Sequence, residues 1–202
     1  MLTKQKMIKK SLIYLLVFFS ILVDVNSDEK KTLKIGSEDA KITVKTFSSL
    51  TCPHCANFHD KIFKELKAEF IDSGKVKFEH HSFPLDLAAL NAEKIIRAIS
   101  NNEKRFQLLG ELYKKQNQWA VGSDINKINE SLKEIGLNFG LNADKIDLFL
   151  KDEKIQDQIL EERINAQKKY KISSTPTIYV NKKKYEGKHK YKDFKKFLEK
   201  NL

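Results

Sequence analysis

The chain has 202 residues but only two cysteines, and both lie within Cys52-Pro53-His54-Cys55. That scarcity excludes a framework of several disulfides and leaves too few thiols for a four-cysteine zinc site. No Gly-x-Gly-x-x-Gly occurs, so no flavin or nucleotide fingerprint is present and no cofactor is expected. Internal repeats and low-complexity linkers are absent. The longest apolar run, Leu12 to Val23, covers 12 residues, whereas about 20 are needed to span a bilayer. Arginine is scarce as well, with three against 35 lysines. The lysines are interleaved with acids, as in Glu65, Lys67 and Glu69. This is the pattern of a solvated helix face, so no nucleic-acid partner is expected.

What remains is a soluble chain, 41% hydrophobic and 32% charged, long enough for one core with an insertion. Its start has the layout of an export signal. Lys4, Lys6, Lys9 and Lys10 precede the apolar run, Asp24 ends it, and Ser27 supplies a small residue for cleavage. Residues 1–27 therefore read as a removable leader, and the mature chain as exported. Its removal leaves 34 Lys+Arg against 26 Asp+Glu, a net charge of +8. Disulfides persist outside the cytosol. A Cys52–Cys55 ring would nevertheless close too short a loop to stabilise much, which suits turnover better than architecture.

Hydrophobic periodicity orders the rest. Thr32–Gly36 reads as a short strand, and Lys41–Ser48 as a second, with β-branched Ile42, Val44 and Thr46. Phe58, Ile62, Leu66 and Phe70 mark an amphipathic helix that Ser73-Gly74 stops near Asp72. Val76–His80 is a third strand. From Asp86 to about Lys171 the pattern predicts five helices, the fourth starting at Asn142. Strand character returns in Thr177–Val180, a turn at Asn181-Lys182 leads to Lys184-Tyr185, and a last helix carries Phe194, Phe197 and Leu198. The strand–helix–strand start predicts a parallel pair, and the two-residue turn an antiparallel one. A mixed sheet with an inserted helical block fits this order.

The paired cysteines need a chemical reason, since random placement would give this spacing only about once in a hundred chains. They sit where a strand ends and a helix begins. A thiolate at Cys52 would face unpaired N–H groups and the positive end of the helix. Pro53 suits the first helical position because its missing N–H would go unused there. His54 adds positive charge when protonated. A lowered Cys52 pKa makes it a good leaving group and the disulfide oxidising. Cys55, one turn on, faces inward. The metal alternative uses Cys52, Cys55 and His59, with His80-His81 to complete a set. Adjacent strand residues point to opposite faces, so no metal site is expected, although thiolate and imidazole would suit copper. Trp119 is expected in the core rather than at a contact surface, and Lys182–Lys184 along a solvated hairpin edge.

The segment Phe47–Thr51 followed by Cys52-Pro53-His54-Cys55 resembles the active-site strand and motif of DsbA-like thiol–disulfide oxidoreductases. Ser174-Thr175-Pro176-Thr177 resembles that family's cis-proline loop, and the helical block matches its insertion in position and size. The resemblance implies an α/β, thioredoxin-like fold with a mixed sheet and an inserted all-helical subdomain. Residues 28–85 and 171–202 would form the thioredoxin-like part, and 86–170 the insertion. It implies a redox-active Cys52–Cys55 disulfide, with Pro53 and His54 tuning it. It also implies a cis Thr175-Pro176 bond lying against Cys52, with Thr175 and Pro176 binding an extended, cysteine-containing substrate. The activity implied is introduction of disulfides into proteins by a monomer, reoxidised by a quinone-linked membrane partner; the alternative is a reductase or isomerase of the same fold. Three positions depart from the pattern. Thr46 stands where an acidic residue is frequent, Thr175 where valine is familiar, and Lys182 where glycine is usual.

Overall fold

Strand β2 (Ile42–Ser48) carries the redox motif at its end, and its sequence explains why it is central. Ile42 and Val44 bury into the main core while Phe47 buries into a second, smaller cluster, so both faces of the strand are covered. It pairs in parallel with β3 (Val76–Ser82), from Ile42 opposite Val76 to Ser48 opposite Ser82. On its other side it pairs antiparallel with β4 (Thr177–Val180). β1 (Leu33–Ile35) is antiparallel to β3, and β5 (Lys183–Lys184) to β4. The sheet order is β1-β3-β2-β4-β5. The computed structural model describes residues 32–202. The leader and its cleavage site, read from residues 1–27, lie outside the described residues. Leu33–Leu202 form one compact unit. Among the described residues no helix is long and apolar enough to cross a membrane.

β1 ends at Gly36, whose φ is +103° and whose missing Cβ would otherwise come within 2.5 Å of the Val76 carbonyl. Only glycine meets both demands. Between β2 and β3 runs helix α1 (53–71), which the sequence predicts as one regular helix. The structure differs in detail: π-helical turns occupy His59–Phe63 and Lys67–Ile71. The reason lies in the spacing of the apolar residues. Phe58, Ile62, Leu66 and Phe70 recur every four residues, and at 3.6 residues per turn such a stripe drifts about 40° per repeat. The wider π turns, with their i→i+5 bonds, take up that drift. Asp72 N donates to the Lys67 carbonyl at 2.9 Å in this way, and all four side chains stay buried.

Six helices follow: α2 (Leu87–Arg97), α3 (Asn102–Lys114), α4 (Gln116–Trp119), α5 (Ile125–Asn138), α6 (Ala143–Lys151) and α7 (Glu153–Tyr170). The periodicity predicts five; the short α4 has too few residues to show a repeat. Asp86, Asn101, Asp124, Asn142 and Asp152 each cap the helix that follows, their side chains accepting from its first-turn N–H groups. Such caps are worth about 1 kcal/mol each. Leu108, Leu112 and Trp119 of this block pack in the same core as α1 and the terminal helix α8 (Tyr191–Glu199). Ala166 of α7 belongs to the second cluster with Phe47, Phe83 and Ile172. The block thus contributes to the packing on both faces of the sheet. Trp119 is buried, as expected, and its indole N–H donates to the Leu112 carbonyl at 2.8 Å. Lys182, Lys183 and Lys184 are exposed at the hairpin edge.

Candidate redox site

The motif opens α1 at the end of the central strand. Cys52 occupies the N-cap position with extended backbone, and Pro53 follows at the first helical position. Cys55 N and Ala56 N both donate to the Cys52 carbonyl, at 3.0 and 3.2 Å. Thr51 and Ser49 hold the approach. The Thr51 hydroxyl donates to Asp86 Oδ2 at 2.7 Å, so the Ser49 hydroxyl, 3.1 Å away, donates to Thr51. Ser49 Oγ in turn accepts from Leu85 N at 3.3 Å. Gln116, the first residue of α4, donates to the carbonyls of Leu50 (2.7 Å) and Cys52 (3.1 Å). These contacts tie the motif to the helical block on one side and to the loop after β3 on the other.

Both cysteines are reduced thiols. Cys52 retains 7% of its surface and Cys55 1%. Their ionisations diverge. The Cys55 thiol donates to the Cys52 sulfur, and this is the largest influence holding Cys52 down to about 5. Burial opposes it, while the Thr175 hydroxyl and the backbone N–H groups of Cys55 and His54 assist. Burial pushes Cys55 far up, and the neighbouring Cys52 adds to the shift. At neutral pH the reduced pair is therefore one thiolate beside one neutral thiol. His54 reaches Cys52 through its backbone N–H, whereas its exposed imidazole lines a groove.

The second predicted segment comes from across the sheet. Antiparallel pairing of β4 with β2 sets Thr177 opposite Phe47, and the loop before it reaches the motif. The Thr175-Pro176 bond is cis. The Cys52 thiol donates to the Thr175 carbonyl at 3.3 Å. Thr175 Oγ1 is buried without a hydrogen-bond partner and lies where it favours a thiolate at either sulfur. Thr175, Pro176, His54, Lys184 and His189 line a groove of about 500 Å³. The structure thus brings together Cys52, Pro53, His54, Cys55, Thr175 and Pro176.

The residues weighed as metal ligands separate instead. His80 bonds Glu93 at 3.1 Å, while His81 bonds Glu79 at 3.0 Å. Burial works to raise the Glu79 carboxyl, but His81 and Lys45 outweigh it and hold it at about 2. His59 stacks on Phe63 and tilts against Tyr113, and burial lowers it to about 4. Among the described residues no three histidine, cysteine or acidic side chains converge on a cation-sized space. The sequence gives no warning of Gln116 or His189. Gln116 lies at a helix break and His189 in an irregular stretch before α8, where neither period nor motif marks a residue.

Comparison with known proteins agrees with this geometry. The family model described as Thioredoxin matches residues 28–200. A Rickettsia bellii protein with a provisional protein-disulfide oxidoreductase name is 31% identical over 154 residues, 76% of this chain and 58% of that protein. The chain spans just over half the length of the rickettsial relatives it matches. Disulfide bond formation protein D of Bacillus subtilis is 28% identical over 177 residues, 83% of this chain and 76% of that protein. Among solved structures, alpha-DsbA1 of Wolbachia pipientis superposes with a TM-score of 0.77 at 25% identity, covering 90% of this chain and 94% of that one. Oxidised BdbD of Bacillus subtilis gives 0.73 at 26% identity, covering 85% and 93%. With its paired cysteines at the head of α1, the cis-proline loop beside them and the helical block between, the chain belongs to the thioredoxin family in its DsbA-like form.

Proposed function

We propose that this chain is an exported thiol–disulfide oxidoreductase that introduces disulfides into other proteins. The observation that carries the reading is the asymmetry of the pair: Cys52 held at about 5 and Cys55 buried and pushed far up. A substrate thiolate attacks Cys52 Sγ of the Cys52–Cys55 disulfide, that bond breaks, and its electron pair leaves on Cys55. A second substrate thiolate attacks the substrate sulfur of the mixed disulfide and expels Cys52 as a thiolate. The substrate loses two electrons and the pair gains them. A stabilised Cys52 leaves easily and favours the reduced pair, which makes the disulfide an oxidant.

Pro53 and His54 shape the head of α1 in this reading. The half-buried Thr175 and the buried Pro176 present backbone to an extended, cysteine-containing segment lying in the groove, an edge-strand mode of binding. A removable leader at 1–27 would put the mature protein outside the cytosol, periplasmic in a cell with two membranes. There a quinone-linked membrane partner would reoxidise Cys52 and Cys55, and the protein would work as a monomer. The names carried by the Rickettsia bellii and Bacillus subtilis relatives support the same chemistry.

Two measurements test it. Purified oxidised protein should form disulfides in reduced, unfolded ribonuclease, and the Cys52–Cys55 pair should equilibrate with glutathione at an oxidising potential. A potential near the about −270 mV of thioredoxin would reverse the direction and establish the reductase reading.

A further inference from the structure

A strongly basic stretch of chain borders the groove that holds the cis-proline. Residues 182–190 carry five lysines against one glutamate, and all six are exposed. Lys184, Glu186 and His189 of this stretch line the same groove as His54, Thr175 and Pro176. Thr175 is where that groove meets the redox centre, since its carbonyl lies 3.3 Å from Cys52 Sγ. A run of like charges is ordinarily a solvated face. This one differs in being continuous with the reactive sulfur's own surroundings, and in having a backbone that packing holds in place.

Tyr185 anchors the wall. Its N–H donates to the Ile178 carbonyl at 2.9 Å. Its buried ring meets Phe194 and Phe197 of α8 edge to face, with centroids 5.0 and 5.2 Å away. Its hydroxyl donates to the Lys188 carbonyl at 2.7 Å, which folds the following turn over the ring. Gly187 lies so close that a Cβ there would come within 2.5 Å of the Tyr185 hydroxyl, so the turn needs a residue without a side chain. His189 then stacks beside the same ring at 6.5 Å. Apolar anchoring of one tyrosine thus sets the charged residues along the groove.

We propose that this basic wall selects the substrate, so that the protein reacts preferentially with cysteines flanked by aspartate or glutamate. The proposal rests on the thiol-exchange reading and names the substrate class of that site. Lys184 supplies the fixed charge within the groove. Its ammonium reaches Glu186 only at 3.9 Å, in an exposed pair worth little, so exchanging Glu186 for a substrate carboxylate costs little. Lys182, Lys188 and Lys190 extend the positive field beyond the groove and steer acidic segments toward it. A lysine-flanked segment meets like charge instead, which supplies the repulsive half of specificity. Burial, then the nearby His54, lowers His189. At neutral pH its imidazole is uncharged, and the selection falls to the lysines.

The test uses the oxidised full chain and two dithiol peptides of equal length and cysteine spacing, one with aspartates and one with lysines beside the attacking cysteine. Each single-turnover rate is divided by the same peptide's rate with hydroxyethyl disulfide, an uncharged oxidant, because flanking charge alters a thiol's own reactivity. The normalised rate should favour the aspartate peptide about fivefold at low salt, the scale of an exposed ion pair. At about 1 M salt, where screening acts within about 3 Å, it should approach equality. Lys184→Glu combined with Lys188→Glu should reverse the preference. Gly187→Ala, which forces the wall off Tyr185 and changes no charge, should weaken it. Equal normalised rates in the wild type at low salt, or a preference that the double variant keeps, overturn the proposal. Cosedimentation with phosphatidylglycerol vesicles, alongside equal peptide rates, would assign the basic stretch to a membrane surface and overturn it equally. A potential near that of thioredoxin, with the preference present, overturns the oxidase reading and leaves the selectivity standing.

Discussion

Cys52 and Cys55 are the same residue type, one helical turn apart, yet the fold drives them to opposite states. Cys52 sits at the rim, against the Thr175 carbonyl and the N–H groups at the head of α1. Cys55 sits inside, in the apolar core shared by α1 and the helical block. Donors at the rim favour the anion, and burial inside favours the neutral thiol. The difference teaches that a two-residue spacer can separate a leaving group from its partner when it crosses the boundary between surface and core.

The strongest way to break this contrast is to remove the rim sulfur. Cys52→Ser should abolish oxidation of reduced ribonuclease, whereas Cys55→Ser should trap a mixed disulfide at Cys52, seen as a mass increase by the substrate. Retained activity in Cys52→Ser would refute the division of roles. The interior can be opened next. Trp119→Ala removes a side chain that is 1% exposed and leaves the Leu112 carbonyl without its donor. It should cost about 3–5 kcal/mol in urea unfolding followed by far-ultraviolet circular dichroism. A loss below 1 kcal/mol would mean that the helical block does not share the core with Cys55.

pH sharpens the comparison without mutation. Cys52 is depressed in the folded protein, from an ordinary 9.0 to about 5. Its contribution is therefore fully present above the unfolded value and is lost as pH falls through about 5. The disulfide form has no such thiol. The reduced form should gain thermal stability relative to the oxidised form as pH rises from about 5 to 8, where the Cys52 thiolate forms only in the folded chain. A difference in melting temperature that stays flat across that range would contradict a depressed Cys52. The smallest change concerns one hydroxyl. Thr175→Val should raise the Cys52 pKa by about one unit, read from thiolate absorbance, and make the pair less oxidising.

Much of this molecule was legible in its sequence. The motif, the strands around it and the helical block are written in local spacing, because alternation, capping and apolar repeats act over a few residues, whereas the proline loop was legible only through the family resemblance. The structure bears out the parallel β2–β3 pair, the antiparallel β4–β5 turn and the burial of Trp119. The parts that were not legible share one property: they join residues distant in the chain. Gln116 reaches Leu50 and Cys52 across more than 60 positions. The π turns of α1 follow from how its apolar stripe meets the core, which a helical repeat alone does not reveal.

The sequence by itself determined that two cysteines would meet at a helix start, beside a proline and a histidine, in a chain with no other thiol. The helix start already foretold a lowered Cys52, and tertiary structure alone decided how far the two thiols part. It brought the Thr175 hydroxyl to Cys52 and closed the core over Cys55. The physical reason is that ionisation answers to solvent, charge and hydrogen bonding in three dimensions. Those are fixed by sheet pairing and packing, and no local pattern encodes them.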